Sequence, residues 1–385
     1  MPSSTVISGV QYSGIWTMNQ VNAALAAGTW PVPPVQLFSW GKNNFGQLGL
    51  GNTTYYSSPK QIGSLTTWLE IAAGGYASSA SIKKDGTLWS WGRNDAGQLG
   101  LGNTTNYSSP KQVGALTTWY KIAGGDLSTI ATKTDGTIWS WGRNTNGQLG
   151  LGNTTYYSSP KQIGALTTWL TVAAGAYHCV ATKTDGTLWT WGLNTSGQLG
   201  LGNTTSYSSP KQVGALTAWS LAAASNAFTL AIKTDGTLWA WGYNYQGALG
   251  LGDVTTRNSP VQVGALTTWY KIAGGYGFSI ATKTDGTLWA WGKNTQGQLG
   301  IGSTANNSSP VQVGALTSWL TVAADVYFSM AIKTDNTLWS WGQNTNGQLG
   351  LGNTTSYSSP KQVGSLATWS SISLSYNYAI ATKGQ

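Results

Sequence analysis

The dipeptide Trp-Gly recurs at Trp40, Trp91, Trp141, Trp191, Trp241, Trp291 and Trp341, with one step of 51 residues and five of 50. A period this regular belongs to solenoids, propellers and arrays, whose units are too small to bury an apolar face alone and must stack to make a core. Repetition therefore constrains the fold before any side-chain chemistry. Function has to be sought in what the seven copies do not share.

In the second copy, Gly86-Thr87-Leu88-Trp89-Ser90-Trp91-Gly92 leads into Gly97-Gln98-Leu99-Gly100-Leu101-Gly102. Then come Ser109-Pro110-Lys111-Gln112-Val113, Trp119-Tyr120-Lys121-Ile122-Ala123 and Ser128-Thr129-Ile130-Ala131-Thr132-Lys133. Four short apolar runs separated by Gly, Pro, Asn and Ser clusters predict four strands per copy and no helix. The Asp-Gly pairs from Asp85-Gly86 to Asp285-Gly286, and Asp335-Asn336 in the sixth copy, supply the left-handed backbone of a tight hairpin. Alternation along Leu88-Trp89-Ser90-Trp91 sets both indoles on one face of its strand and Leu88 with Ser90 on the other. Residues 35–40 lack a preceding partner strand and residues 379–383 lack a following one, so the two are expected to complete one blade. The expected fold is all-β: a seven-bladed β-propeller of four-stranded blades over residues 35–385. Pairing of the N- and C-terminal strands closes the ring and removes exposed sheet edges. Residues 1–34 form a separate N-terminal arm.

The run Leu-Trp-x-Trp-Gly-x-Asn-x-x-Gly-Gln-Leu-Gly-x-Gly, followed by Pro-x-Gln-Val and Ala-Gly-Gly-x-x-x-Ser-x-Ala, resembles the repeat of the regulator of chromosome condensation family. The resemblance covers residues 35–385 and implies a seven-bladed propeller. What it implies is fold, since propellers of this kind host unrelated activities; the family's eukaryotic namesake is a nucleotide-exchange factor for a small GTPase and binds chromatin, using a wedge-like insertion in one blade and specific acidic and basic positions. The uniform spacing here leaves no room for such an insertion. Only Ala176-Tyr177-His178-Cys179 keeps the His that often follows the Gly pair, so exchange activity is not expected.

Charged residues make up 8% of the chain and Phe occupies five positions, so tryptophan must supply much of the apolar mass. Of 22 tryptophans, seven precede Gly, six stand two residues earlier, and seven open another strand from Trp68 to Trp369. Each buried indole removes roughly 150–250 Å² from water, a gross gain of roughly 4–6 kcal/mol. Strict repetition favours blade packing over sugar-binding platforms for these rings. One His, one Cys and 11 carboxylates, six of them in hairpin turns, offer no asymmetric catalytic constellation. The expectation is a non-enzyme with no cofactor and no metal. His178 and Cys179 are neighbours in a strand and should point to opposite faces.

In the arm, Thr17-Met18-Asn19-Gln20 matches a capping box, and residues 18–27 are expected to form a short helix with Met18, Val21 and Leu25 on one face. It is too short to stand alone in water or to span a membrane, and nothing upstream reads as secretory targeting. The stretch from Ser13-Gly14-Ile15-Trp16 to Gly28-Thr29-Trp30-Pro31 resembles a module of tailed-phage structural proteins. That resemblance implies an anchoring arm carried by Trp16, Met18, Val21, Leu25 and Trp30, with Pro31-Val32-Pro33-Pro34 as spacer. The leading expectation is a non-enzymatic virion structural or binding protein of a tailed bacteriophage, assembled in the host cytoplasm, attached to tail or capsid, and binding host-surface polysaccharide. The alternative is a cytoplasmic protein-interaction propeller that regulates a protein partner.

Equivalent positions form rings in a propeller, so positions that differ between copies are free of the packing constraint. After Trp-Gly the copies read Lys42, Arg93, Arg143, Leu193, Tyr243, Lys293 and Gln343. After Pro they read Lys60, Lys111, Lys161, Lys211, Val261, Val311 and Lys361. A third variable ring holds Tyr76, Asp126, Tyr177, Asn226, Tyr276, Tyr327 and Tyr376. The expected partner surface comprises Arg93, Lys111, Arg143 and Lys161 as a basic sector for an anionic partner, with Tyr243, Tyr245, Arg257, Tyr276 and Tyr327 beyond it. With a net charge of +9 spread blade by blade, nucleic acid ranks below such partners.

Overall fold

The computed structural model describes residues 5–7, 10–12, 35–64, 67–215 and 217–384. Seven four-stranded antiparallel sheets follow one another around a ring. One blade runs from an innermost strand, Trp68–Gly74, through Ser78–Lys83 and Leu88–Gly92 to an outermost strand, Tyr107–Gln112. A sequence copy counted from Gly86 is out of phase with this unit: it supplies the two outer strands of one blade and the two inner strands of the next. The last blade is assembled from both ends of the chain in the order Trp369–Ser375, Tyr378–Gly384, Val35–Gly41, Tyr56–Gln61. Its closing register pairs Leu37 with Thr382 and Trp40 with Ala379, as the sequence led us to expect. In the arm, Thr5–Ile7 pairs with Val10–Tyr12, and the helix expected at residues 18–27 lies outside the described residues.

Each hairpin between the second and third strands is fixed by its own side chains. Asp85 Oδ1 accepts hydrogen bonds from the Thr87 amide at 2.9 Å and the Thr87 hydroxyl at 2.6 Å, and that hydroxyl accepts one from Trp89 Nε1 at 2.9 Å. Gly86 takes φ +76°, and Asn336 takes +61° at the equivalent turn. Such a loop leaves the carboxylate well supplied with donors, which hold Asp85 and its equivalents below the usual carboxylate range.

The core lies between blades. One face of the Leu88–Gly92 strand carries Trp89 and Trp91, which pack with Trp68 against Leu37 and Ile62 of the preceding blade. The other face turns Leu88 onto Trp119 and Trp141 of the following blade. Trp91 donates its Nε1 hydrogen to the Gln47 carbonyl across the junction at 2.9 Å, and Trp40 does the same to Gln348 O at 2.9 Å where the ring closes. Deleting residues 35–41 removes the third strand of the closing blade together with this bond. The truncated chain should lose its cooperative melt and aggregate through the bared edge of Tyr378–Gly384; a monomer with an unchanged melt would contradict this closure.

Candidate functional site

At one end of the ring, the turns between the first and second strands of the blades converge on a central cavity of about 330 Å³. Half of its wall is Gly and Ala, because seven innermost strands approach one another closely: a Cβ added at Gly124 would stand 2.5 Å from Gly74 Cα. Against that uniform wall the copies differ. Tyr76, Asp126, Asn226, Tyr276, Tyr327 and Tyr376 line the cavity, with Asp325 at a position that is Gly in four other blades.

The tyrosines carry cations. Lys42 lies 5.9 Å from the Tyr376 ring centre, Arg93 5.9 Å from Tyr76, and Arg143 5.3 Å from Tyr177. Lys293 lies 5.3 Å from Tyr276 and 4.7 Å from Tyr327. Tyr76 and Tyr376 stack at 4.9 Å. The residue after Trp-Gly thus sits over the turn that lines the cavity. This follows from the register, because Gly92 pairs with Ser78 and the Arg93 amide bonds Ala77 O at 2.9 Å. The result is an aromatic and basic annulus around an acidic floor.

The floor is electrostatically strained. Desolvation pushes Asp325 up to about 7; backbone donors from Val326, Tyr376 and Asn377 oppose that rise, while the Asp126 charge adds to it. Asp325 Oδ2 meets no donor among the described residues. Asp126 is pushed up to about 6 by desolvation, against a hydrogen bond from Tyr177 and the Arg143 charge. Both are consequences of placing carboxyls where water is scarce.

The expected surface residues separate into groups. Arg93, Arg143, Tyr276 and Tyr327 belong to the annulus, and Arg93 is also paired with Asp95, its Nε donating at 3.0 Å. Lys111 and Lys161 do not join Arg93 and Arg143 as one sector. They lie on outermost strands over Tyr107 and Tyr157, at 5.6 and 5.4 Å. Tyr243 and Tyr245 stack at 6.3 Å and stand 41% and 69% exposed, and Arg257 is held by Asp253 at 2.6 Å. Tyr177 and Tyr327 come one residue later in their turns than the other tyrosines of the ring. Trp16, Met18, Val21, Leu25 and Trp30 lie outside the described residues. Lys42, Lys293 and Asp325 were absent from the expected surface. For Asp325 the signal was a lone acid in a column reading Gly75, Gly125, Gly175, Ser225, Gly275 and Ser375.

His178 and Cys179 face opposite neighbours. His178 Nε2 meets Thr229 Oγ1 of the next blade at 3.0 Å, and Cys179 Sγ meets the Gln148 carbonyl of the preceding one at 3.4 Å. Burial pushes the imidazole down to about 4 and the thiol up to about 12. Cys179 stands where other blades have Ser79, Thr129, Thr229, Ser279 and Ser329, each donating to the same carbonyl position.

Residues 36–381 match the family described as RCC1-like domain, and the chain belongs to that family. Human HERC3, a probable E3 ubiquitin-protein ligase, is 43% identical over 86 residues, and the dog X-linked retinitis pigmentosa GTPase regulator is 41% identical over 80 residues. These matches cover 22% and 20% of this chain and 8% of each relative, so the chain spans a small part of their length. Among solved structures, Saccharomyces cerevisiae Prp20p superposes with a TM-score of 0.82 at 20% identity, covering 92% of both chains. Human WBSCR16 gives 0.82 at 20% identity, covering 91% of this chain and 99% of its own.

Two expectations are corrected by these relatives. The virion structural protein is overturned, because the matching proteins are eukaryotic ligases and regulators. The phage reading leaned on a short arm motif and on a low-charge body rich in Ser, Thr, Asn, Gly and Tyr, neither of which is specific. The non-enzyme expectation is overturned as well: human HERC3, HERC5 and HERC6 are by name E3 protein ligases, so this repeat occurs inside enzyme chains, over 8% of their length. An inventory of catalytic residues within the propeller cannot speak for such chains.

Raised carboxyl pKa values make a testable stability signature. Asp325 binds its proton more tightly when folded, so its contribution is fully present below about 4 and is lost as pH rises toward about 7. His178, lowered to about 4, acts in the opposite sense over the same range. Asp126 shares the sign of Asp325, and Tyr376 and Tyr378 stay neutral there, with their phenols pushed upward. The melting temperature of Asp325→Asn relative to the natural chain should therefore rise between pH 4 and about pH 7 and level off above it. A difference that does not change with pH would contradict the strained carboxyl.

Proposed function

We propose that this chain is a protein-interaction propeller that regulates a protein partner docked on its tyrosine-lined face. The observation that carries this reading is the annulus, where Lys42, Arg93, Arg143 and Lys293 lie over tyrosines around a cavity whose wall differs from blade to blade. Tyr and Arg are the residue types that contribute most at protein interfaces, because they desolvate large areas at low conformational cost. The basic rim suits an acidic patch on the partner, steered at long range and weakened by salt. In support, the relatives include a protein named as a GTPase regulator, and the structural study of Prp20p names Gsp1p and histones as what that protein binds. Tyr243, Tyr245 and Arg257 extend the proposed surface outward in one sector.

The test is affinity capture from the source cell by the natural chain and by Arg143→Gln/Lys293→Gln, with bound proteins identified and titrated at low and high salt. Loss of two interfacial charges should weaken the bound partner by about tenfold or more, roughly 1.4 kcal/mol, without lowering the melting temperature. A partner retained by this variant but lost from Lys111→Gln/Lys161→Gln would move the interface to the outer strands and overturn the reading.

A further inference from the structure

The junctions between neighbouring blades carry a second kind of cavity, away from the annulus. Three of them measure about 390 Å³ each, within the range of about 300–1,000 Å³ typical of small-molecule sites, and share a Gly, Gln, Trp, Ser and Pro lining, to which a lysine is added in one. In one, Val263 and Leu266 form the apolar part, Gln262 and Ser309 stand on the outer strands of adjacent blades, and Lys283 lies beside Trp289. Leu266 is 48% exposed, so the apolar part opens outward.

Lys283 is the unusual member. It is 6% exposed, its ammonium lies 3.6 Å from the Trp289 ring centre and 4.9 Å from that of Trp269, and desolvation lowers its pKa. No hydrogen-bond acceptor engages that ammonium and no carboxylate lies within ion-pair distance of it among the described residues, the Asp285 charge acting on it only from further off; the ion pairs there are Arg93 with Asp95, Lys121 with Glu70 and Arg257 with Asp253. Indole faces attract a cation but cannot accept its three N–H hydrogens. The same lysine between two tryptophans recurs at Lys83, Lys133, Lys183, Lys233 and Lys333. The Trp269 indole N–H, and its equivalent in every other blade, also lacks an acceptor. Each junction thus has donors in excess and acceptors in deficit beside an apolar surface.

We propose that these inter-blade pockets bind hexuronate units of an acidic saccharide. The sugar carboxylate meets the ammonium of Lys283, its hydroxyls meet Gln262 and Ser309, and its C–H face rests on Leu266 and Val263. A carboxylate supplies an acceptor for the ammonium, and a pyranose supplies apolar and polar faces in one ring. Repetition around the propeller lets one polymer engage several pockets, so a chain of units binds more tightly than one unit without any new contact.

Trigalacturonate, monomeric galacturonate, neutral trigalactose and a hexaglutamate peptide serve as probes, with binding read by calorimetry and by tryptophan fluorescence. Trigalacturonate should bind saturably and at least tenfold more tightly than trigalactose, and the monomer should compete with it at higher concentration. Replacing the six stacked lysines by Gln should abolish binding. In case that variant does not fold, Gln→Glu at Gln262 and its outer-strand equivalents adds repulsion at a partly exposed rim and should weaken trigalacturonate by about tenfold. Absence of trigalacturonate binding, equal binding of hexaglutamate, failure of the monomer to compete, or unchanged affinity in the rim variant would each overturn the proposal.

Discussion

One hydrogen bond, made seven times, holds this ring together. The tryptophan before each Gly donates its indole N–H to a backbone carbonyl in the loop of the preceding blade, from Trp40 to Gln348 O at 2.9 Å round to Trp341 to Gln298 O at 2.9 Å. Because the acceptor is a main-chain atom, Trp291 keeps its bond at 2.8 Å even where Ala248 replaces the usual Gln. The ring plane presses on a glycine of the same loop, and a Cβ at Gly300 would stand 2.6 Å from Trp341 Nε1. A buried donor is satisfied, a large apolar surface is covered, and neighbouring blades are set at one spacing. Stability is local to each junction and repeated, as in other repeat architectures.

That repetition divides the molecule's residues into two kinds. Those that serve the junction vary little, and Cys179 shows the tolerance: it occupies a column that carries hydroxyls in five blades and Ala379 in one, because a thiol can donate weakly to the same carbonyl. The turns around the cavity are joined between blades through main-chain atoms, as from the Tyr276 amide to Asp325 O, which leaves their side chains free to differ, and there the chain places tyrosines, bases and two strained acids. A buried carboxyl without a full set of donors destabilises a fold, so Asp325 is a cost that packing does not explain. The binding face and the inter-blade pockets differ accordingly. The first depends on asymmetry and suits one partner in one orientation; the second depends on symmetry and suits a repeating ligand.

Strands, hairpins and closure were legible from the sequence because each rests on local rules, such as the Asp-Gly turns and the alternation that puts Trp89 and Trp91 on one face. Phase was less legible. A period of 50 residues does not say where a blade begins, and the boundary falls between Gln112 and Trp119 instead of before Gly86. The basic sector was misjudged for a related reason: Arg93 and Lys111 are both basic and occur in each other's copy, yet one follows the third strand and leans over Tyr76 while the other sits on the outermost strand. Radial distance is invisible in a one-dimensional pattern. Asp325 was hidden because its meaning comes from six other turns that meet it only in the closed ring.

The junction account is tested most directly by two glycine substitutions compared in one thermal and denaturant unfolding experiment. Gly300 and Gly314 have similar left-handed backbones, φ +75° and +64°, but a Cβ at Gly314 meets nothing within 4 Å. Alanine at either position should cost about 1–2 kcal/mol for the backbone alone, and at Gly300 a further cost of about 1–3 kcal/mol for overpacking against Trp341. Gly300→Ala should therefore be clearly the less stable of the two, with a red-shifted tryptophan emission as the indole is displaced. Equal destabilisation by the two substitutions would show that the contact between Gly300 and Trp341 does not hold the blades together.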